Sequence, residues 1–300
     1  MKILLATTAI LTASTAMADG VNYGRLSYDF TRFENDDNEL DLGLFQGAIE
    51  YQVSEFLLFG DLNTLSLDND GIEADLTTVK AGAGYILSPE ALIGAGILRT
   101  SVEDEDFDGF EVFGQYQTAQ FGVGLNISVP DTDFDDETVT QFFGEYAVAP
   151  GIDLGVSLAS YSEFDGTDYK LSGDYAQGPI AARAFLTGNT DADRSVFGLR
   201  GSYAFSDQIR AAAAFDTLSD DENDIEANFF SLGGGYKITE GVWVDADYGV
   251  LSVDDQDEVD RLQLAVTFET GNRTRIDDRF GQDATDDNQS GLGTLLSASF

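Results

Sequence analysis

The chain contains no cysteine and no histidine in 300 residues. The first absence removes disulfides and thiolate metal sites; the second removes imidazole ligands and catalysis built on a histidine base. Positive charge is scarce as well, with 15 lysines and arginines against 55 aspartates and glutamates. The resulting formal charge of −40 disfavours nucleic acid and anionic lipid as partners and favours cations. After the first residues there is no unbroken apolar run of the roughly 18 to 20 residues that a transmembrane helix needs. Such a chain either stays in water or crosses a membrane as strands.

What is abundant is glycine (32), phenylalanine (22) and tyrosine (12), beside only four prolines. That mixture fits neither a disordered acidic chain nor a helical domain, and points to an all-β fold. Residues 1–18 read as a secretory signal peptide: one lysine, an apolar run and Ala16-Met17-Ala18 before Asp19. Export without cysteine suits a bacterial envelope protein.

In Arg261 to Phe268, Leu262, Leu264, Val266 and Phe268 alternate with Arg261, Gln263, Ala265 and Thr267, a strand with one apolar and one polar face. The pattern recurs along the chain. Acidic tips such as Asp68 to Gly71, Glu103 to Gly109 and Asp254 to Asp260 alternate with short turns such as Leu87 to Glu90, Ala149 to Gly151 and Ile238 to Gly241. The segments between them give about sixteen strands of roughly 10 to 14 residues, long enough to cross a tilted bilayer path. Tyr85, Tyr116, Tyr146, Tyr175, Tyr203 and Tyr236 each precede a short turn, as in an interfacial aromatic girdle.

The predicted architecture is a transmembrane antiparallel β-barrel over residues 19–268, in the cell outer membrane. Short turns and both termini are expected in the periplasm, acidic tips outside. Residues 269–300 are expected to form a tail, periplasmic or luminal, with Gly291 to Phe300 as an alternative closing strand. Arg273, Arg275 and Arg279 gather there, and near the barrel they can approach Asp153 or Asp245 and make the tail a partial plug.

Tyr23-Gly24-Arg25-Leu26 soon after the signal, and the final Phe300, resemble the ends of Gram-negative outer-membrane porins, particularly those of α-proteobacterial type. The resemblance implies a trimeric channel, insertion by the barrel-assembly machinery, and surroundings of outer-membrane lipid and lipopolysaccharide. It also implies an infolded constriction loop, yet no acidic loop here exceeds roughly ten residues, too short for that role.

Charge at a lipid-facing position near mid-membrane costs about 2 to 4 kcal/mol, so charged strand residues are expected inside. The pore-lining basic candidates are Arg25, Lys80, Arg99, Lys170, Arg183, Arg200, Arg210, Lys237 and Arg261. The acidic ones are Asp29, Glu50, Asp61, Glu111, Glu145 and Asp153. Most basic candidates come from the second half and most acidic ones from the first, so either a field runs across the pore or scattered luminal salt bridges cancel it.

Asp104-x-Asp106-x-Asp108-Gly109 matches the start of a calcium loop but has Gln115 where the closing glutamate belongs. It reads either as a solvated hairpin tip or as a weak Ca²⁺ site. No other cofactor is implied, apart from weak Ca²⁺ or Mg²⁺ binding at acidic loops. The expected function is passive diffusion of ions and small hydrophilic solutes. The alternative is a structural or surface-interaction barrel with a filled lumen and cation-binding loops.

Overall fold

The computed structural model describes residues 20–35, 39–69, 72–102, 105–131, 138–162, 166–191, 194–220, 225–254, 258–272 and 274–275. They form sixteen strands. The first eight are β1 (Val21–Glu34), β2 (Glu39–Val53), β3 (Phe56–Asn69), β4 (Ile72–Ser88), β5 (Ala91–Val102), β6 (Glu105–Gln117), β7 (Phe121–Asp131) and β8 (Val139–Ala149). The others are β9 (Ile152–Tyr161), β10 (Thr167–Gln177), β11 (Ile180–Asn189), β12 (Arg194–Ala204), β13 (Ile209–Asp220), β14 (Ile225–Thr239), β15 (Val242–Val253) and β16 (Val259–Gly271). Each strand pairs antiparallel with the next, and β16 pairs with β1, so the sheet closes into a barrel without an edge.

Partners in an antiparallel ladder point to the same side, so the register separates two faces. Outward positions are apolar and open: Ile97 is 68% exposed, Phe110 53%, Leu232 58% and Tyr236 53%. An apolar surface running round the whole circumference has no place in water and is the lipid face of a membrane barrel. Inward positions hold the charges, together with two apolar clusters. Leu57, Phe59, Leu92 and Phe113 form one on β3 to β6, and Phe185, Val196, Leu218, Ala227, Phe229 and Leu251 form the other on β11 to β15.

The short turns, the start of β1 and the end of β16 lie at one end of the barrel, and the strand ends that lead into the acidic stretches lie at the other. The Ser54-Glu55 turn joins β2 to β3 in two residues, with Ser54 at a φ of 56°. Strand length is uneven: β1 to β4 have 14, 15, 14 and 17 residues, whereas β9 to β12 have 10 or 11. On the taller side the outer face turns polar toward the acidic end, at Arg32, Asp41, Ser66, Thr77, Ser101 and Asp106. The closing strand extends past Phe268 to Gly271. The expected signal peptide, Arg273 and residues 276–300 lie outside the described residues.

Candidate functional site

The lumen collects charge from nearly every strand. On the β10 to β16 side four arginines meet aspartates one or two strands away. Arg200 (β12) donates two hydrogen bonds to Asp216 (β13), at 2.6 and 3.0 Å. Arg210 (β13) reaches Asp245 (β15) at 2.7 Å and lies 4.4 Å from the Trp243 ring centre. Arg261 (β16) bonds Asp247 (β15) over the ring of Phe229. Arg183 (β11) stands 3.7 Å from Asp174 (β10). Lys170 is buried beside the Phe185 ring, and Lys237 faces Trp243. Paired with carboxylates in this way, the arginines give a studded surface rather than a uniformly positive one.

Asp174, Asp216 and Asp247 are absent from the sequence-predicted set. A signal for them exists: Arg210, Ala212, Ala214 and Asp216 share one parity, so an inward arginine implies an inward aspartate six residues on.

On the other side, Arg25 and Asp29 (β1), Glu50 (β2), Asp61 (β3), Lys80 (β4) and Glu111 (β6) all face the lumen. Lys80 and Glu111 form an ion pair at 2.8 Å, and Asn126 donates to the same carboxylate at 2.9 Å. Glu145 and Asp153 face inward near the short turns, where Glu145 accepts from Gln117 at 2.9 Å. Tyr23 donates to Glu269 at 3.1 Å and ties β1 to β16 at the closing seam.

Arg99 is a correction. Its ladder partner Val79 pairs with Leu62 on the lipid side, so Arg99 faces outward, half exposed, and binds Asp108 at 2.5 and 2.8 Å. The pair sits beyond the apolar belt, toward the acidic end, where charge on the outer face costs little. Asp106 accepts a hydrogen bond from Ser101 at 2.5 Å. Asp104 lies outside the described residues, and among those described no three acidic groups come together as a metal site.

One charge reaches the lumen from beyond the strands. Arg275 is fully buried, 3.1 Å from Glu111, and Thr274 donates its amide to Glu50 at 2.7 Å. The arginine thus reaches Glu111 and Glu50, not the expected Asp153 or Asp245, because the chain turns toward β2 to β6 after the seam. Arg273 and Arg279 lie outside the described residues. The lumen holds a cavity of about 430 Å³ against Arg183, Arg200, Arg210 and Arg261, and another of about 700 Å³ at the short-turn end, lined by Glu145, Asp153, Asp174 and Glu269.

No family model matches the chain, and no curated protein matches it in sequence. Solved structures do match in fold. Pseudomonas aeruginosa OpdQ and OpdL are each similar at a TM-score of 0.56 with 9% identity, over 85% of this chain and 99% of theirs. The outer membrane protein OprD of the same organism is similar at 0.52, again with 9% identity, over 84% of this chain and 95% of its own. The fold is that of outer-membrane porins.

Proposed function

We propose that this chain is an outer-membrane channel through which ions and small hydrophilic solutes diffuse passively. The observation that carries the reading is a sixteen-stranded barrel with a lipid-facing apolar belt and charged, cavity-bearing inner walls. Sixteen strands enclose more width than side chains alone fill, whereas about eight do not. The acidic cavity at the short-turn end concentrates cations within about a Debye length, ~10 Å at 0.1 M salt, so the channel prefers cations. Refolded protein in a planar bilayer should give discrete conductance steps with a cation-selective reversal potential. A silent bilayer at high protein load would overturn the channel, and anion selectivity would overturn the assigned preference.

Within the porins, Tyr23-Gly24-Arg25-Leu26 supports an α-proteobacterial affiliation, with a trimer as the corresponding assembly. Cross-linking in outer-membrane vesicles tests the trimer. The acidic tips supply a weak, collective Ca²⁺ or Mg²⁺ surface suited to anionic lipopolysaccharide, which equilibrium dialysis with Ca²⁺ would measure. The filled structural barrel is the second reading, favoured by the fully buried Arg275 in the lumen.

A further inference from the structure

After the closing strand the chain turns off the wall and into the lumen. The turn is at Gly271, whose φ of 76° lies in the left-handed region and whose hydrogen a Cβ could not replace without running into the Asn22 carbonyl. The amide of Asn272 then donates to that carbonyl at 3.0 Å, fixing the departure point beside β1.

Thr274 is held from two sides. Its amide donates to Glu50 on β2 at 2.7 Å, and its carbonyl accepts from Gln115 on β6, also at 2.7 Å. Those strands are four apart round the barrel, so the segment lies across a chord of the lumen.

Arg275 locks it there. The guanidinium carbon lies 3.8 Å from the Phe59 ring centre and 4.2 Å from that of Phe113, with one nitrogen 3.1 Å from Glu111. The two rings pack edge to face with centres 5.7 Å apart, and a planar cation set in their notch against a carboxylate is the geometry that suits arginine and not lysine. The receiving surface is built for it. Gly82 and Gly94 face inward beneath the rings; a Cβ would overlap Phe59 at the first and Phe113 at the second, and at Gly96 it would stand 3.0 Å from Glu111. The repeated Gly-Ala-Gly of β4 and β5 is a floor cut to the depth of the clamp.

We infer that the clamp makes the Thr274–Arg275 segment the constriction that sets conductance and charge selectivity, the role a long infolded loop would otherwise take. Arg275 neutralises part of the Glu50, Glu111 and Lys80 group, so the pore at this depth is narrower and less acidic than its walls alone would make it. The inference rests on the channel reading.

Three proteins test it in planar bilayers. R275A should raise single-channel conductance and shift the reversal potential toward cations, because it frees the segment and exposes two carboxylates. R275A combined with E111Q should keep the larger conductance and lose most of the selectivity shift. Equal conductance in wild type and R275A, open or silent, overturns the constriction; a silent wild type with a conducting R275A supports the clamp while counting against a constitutively open channel. The third protein covers failure of R275A to assemble. With no native cysteine, T274C carries a unique thiol and keeps the backbone contacts. A bulky water-soluble thiol reagent should react with it and cut the current. Complete reaction without a change in current, or no reaction in a conducting channel, overturns the inference.

Discussion

The two sides of the barrel both bury charge against the lumen, but they satisfy it in different ways. From β10 to β16 four arginines find aspartates one or two strands away: Arg183 with Asp174, Arg200 with Asp216, Arg210 with Asp245, Arg261 with Asp247. From β2 to β6, Glu50 and Glu111 receive groups that lie 224 and 164 positions further along the chain. One side is balanced as its neighbouring strands pair. The other is completed only when the last strand has closed on the first, so occupancy of the clamp reports closure.

The comparison breaks most sharply on the locally paired side. Asp216 is almost wholly buried, and D216A leaves the Arg200 guanidinium without its two-point partner. The expected loss is about 3 kcal/mol, the low end for removing one member of a buried pair, since luminal water reaches Arg200. Urea unfolding in detergent, followed by tryptophan fluorescence of Trp243, measures it. An unchanged midpoint would mean that the pair is dispensable.

A smaller effect is expected from the remote side. G94V places side-chain atoms against Phe113 and the carbonyl of Ala83, an overpacking that costs about 1 to 3 kcal/mol. It should also evict Arg275 and raise conductance as R275A does. Destabilisation without a conductance change would separate the glycine floor from the clamp.

Smaller again is the outer pair. R99Q removes an exposed contact with Asp108 and should shift the unfolding midpoint less than G94V does, with no change in ion selectivity. A selectivity shift would return Arg99 to the lumen. Asp108 is held below the usual carboxylate range by its hydrogen bond from Arg99, so the pair's contribution fades as pH falls through that lowered value. Wild type and R99Q should therefore converge in acid, which pH-dependent unfolding checks.

The least effect belongs to the two-residue turn. S54G removes the left-handed cost at Ser54 but also the hydroxyl that bonds Glu55 and lowers its pKa. The lost bond matters above the unfolded-state pKa and ceases to matter as pH falls through the lowered folded value. S54G should thus be slightly stabilising in acid and nearly neutral at pH 7, as thermal scans at the two pH values would show.

The strands were legible because period-two alternation carries the signal and the two kinds of turn punctuate it. Sixteen strands and a closed barrel follow from that pattern alone, as the structure bears out. Arg99 was misread for a physical reason: charge marks the inward face only within the hydrocarbon, and β5 continues above it, where either face tolerates an arginine. The inward position of Asp216, the partner of Arg200, could be read from parity with Arg210. The partners of Arg275 could not, because alternation gives the face of a strand residue but says nothing about how far a segment beyond the last strand reaches across the lumen.

The uneven strand lengths shape the rim at the acidic end. With β4 seven residues longer than β9, and about 3.4 Å of rise per residue, one side stands on the order of 15 to 20 Å above the other once strand tilt is counted. The barrel therefore ends in a slanted lip, not a level ring. Its opening is turned toward β9 to β12, and the raised side carries Asp41, Asp106 and Asp108 on its outer face. A solute coming along the barrel axis from the acidic end meets the tall acidic side first and slides down it toward the opening on the low side.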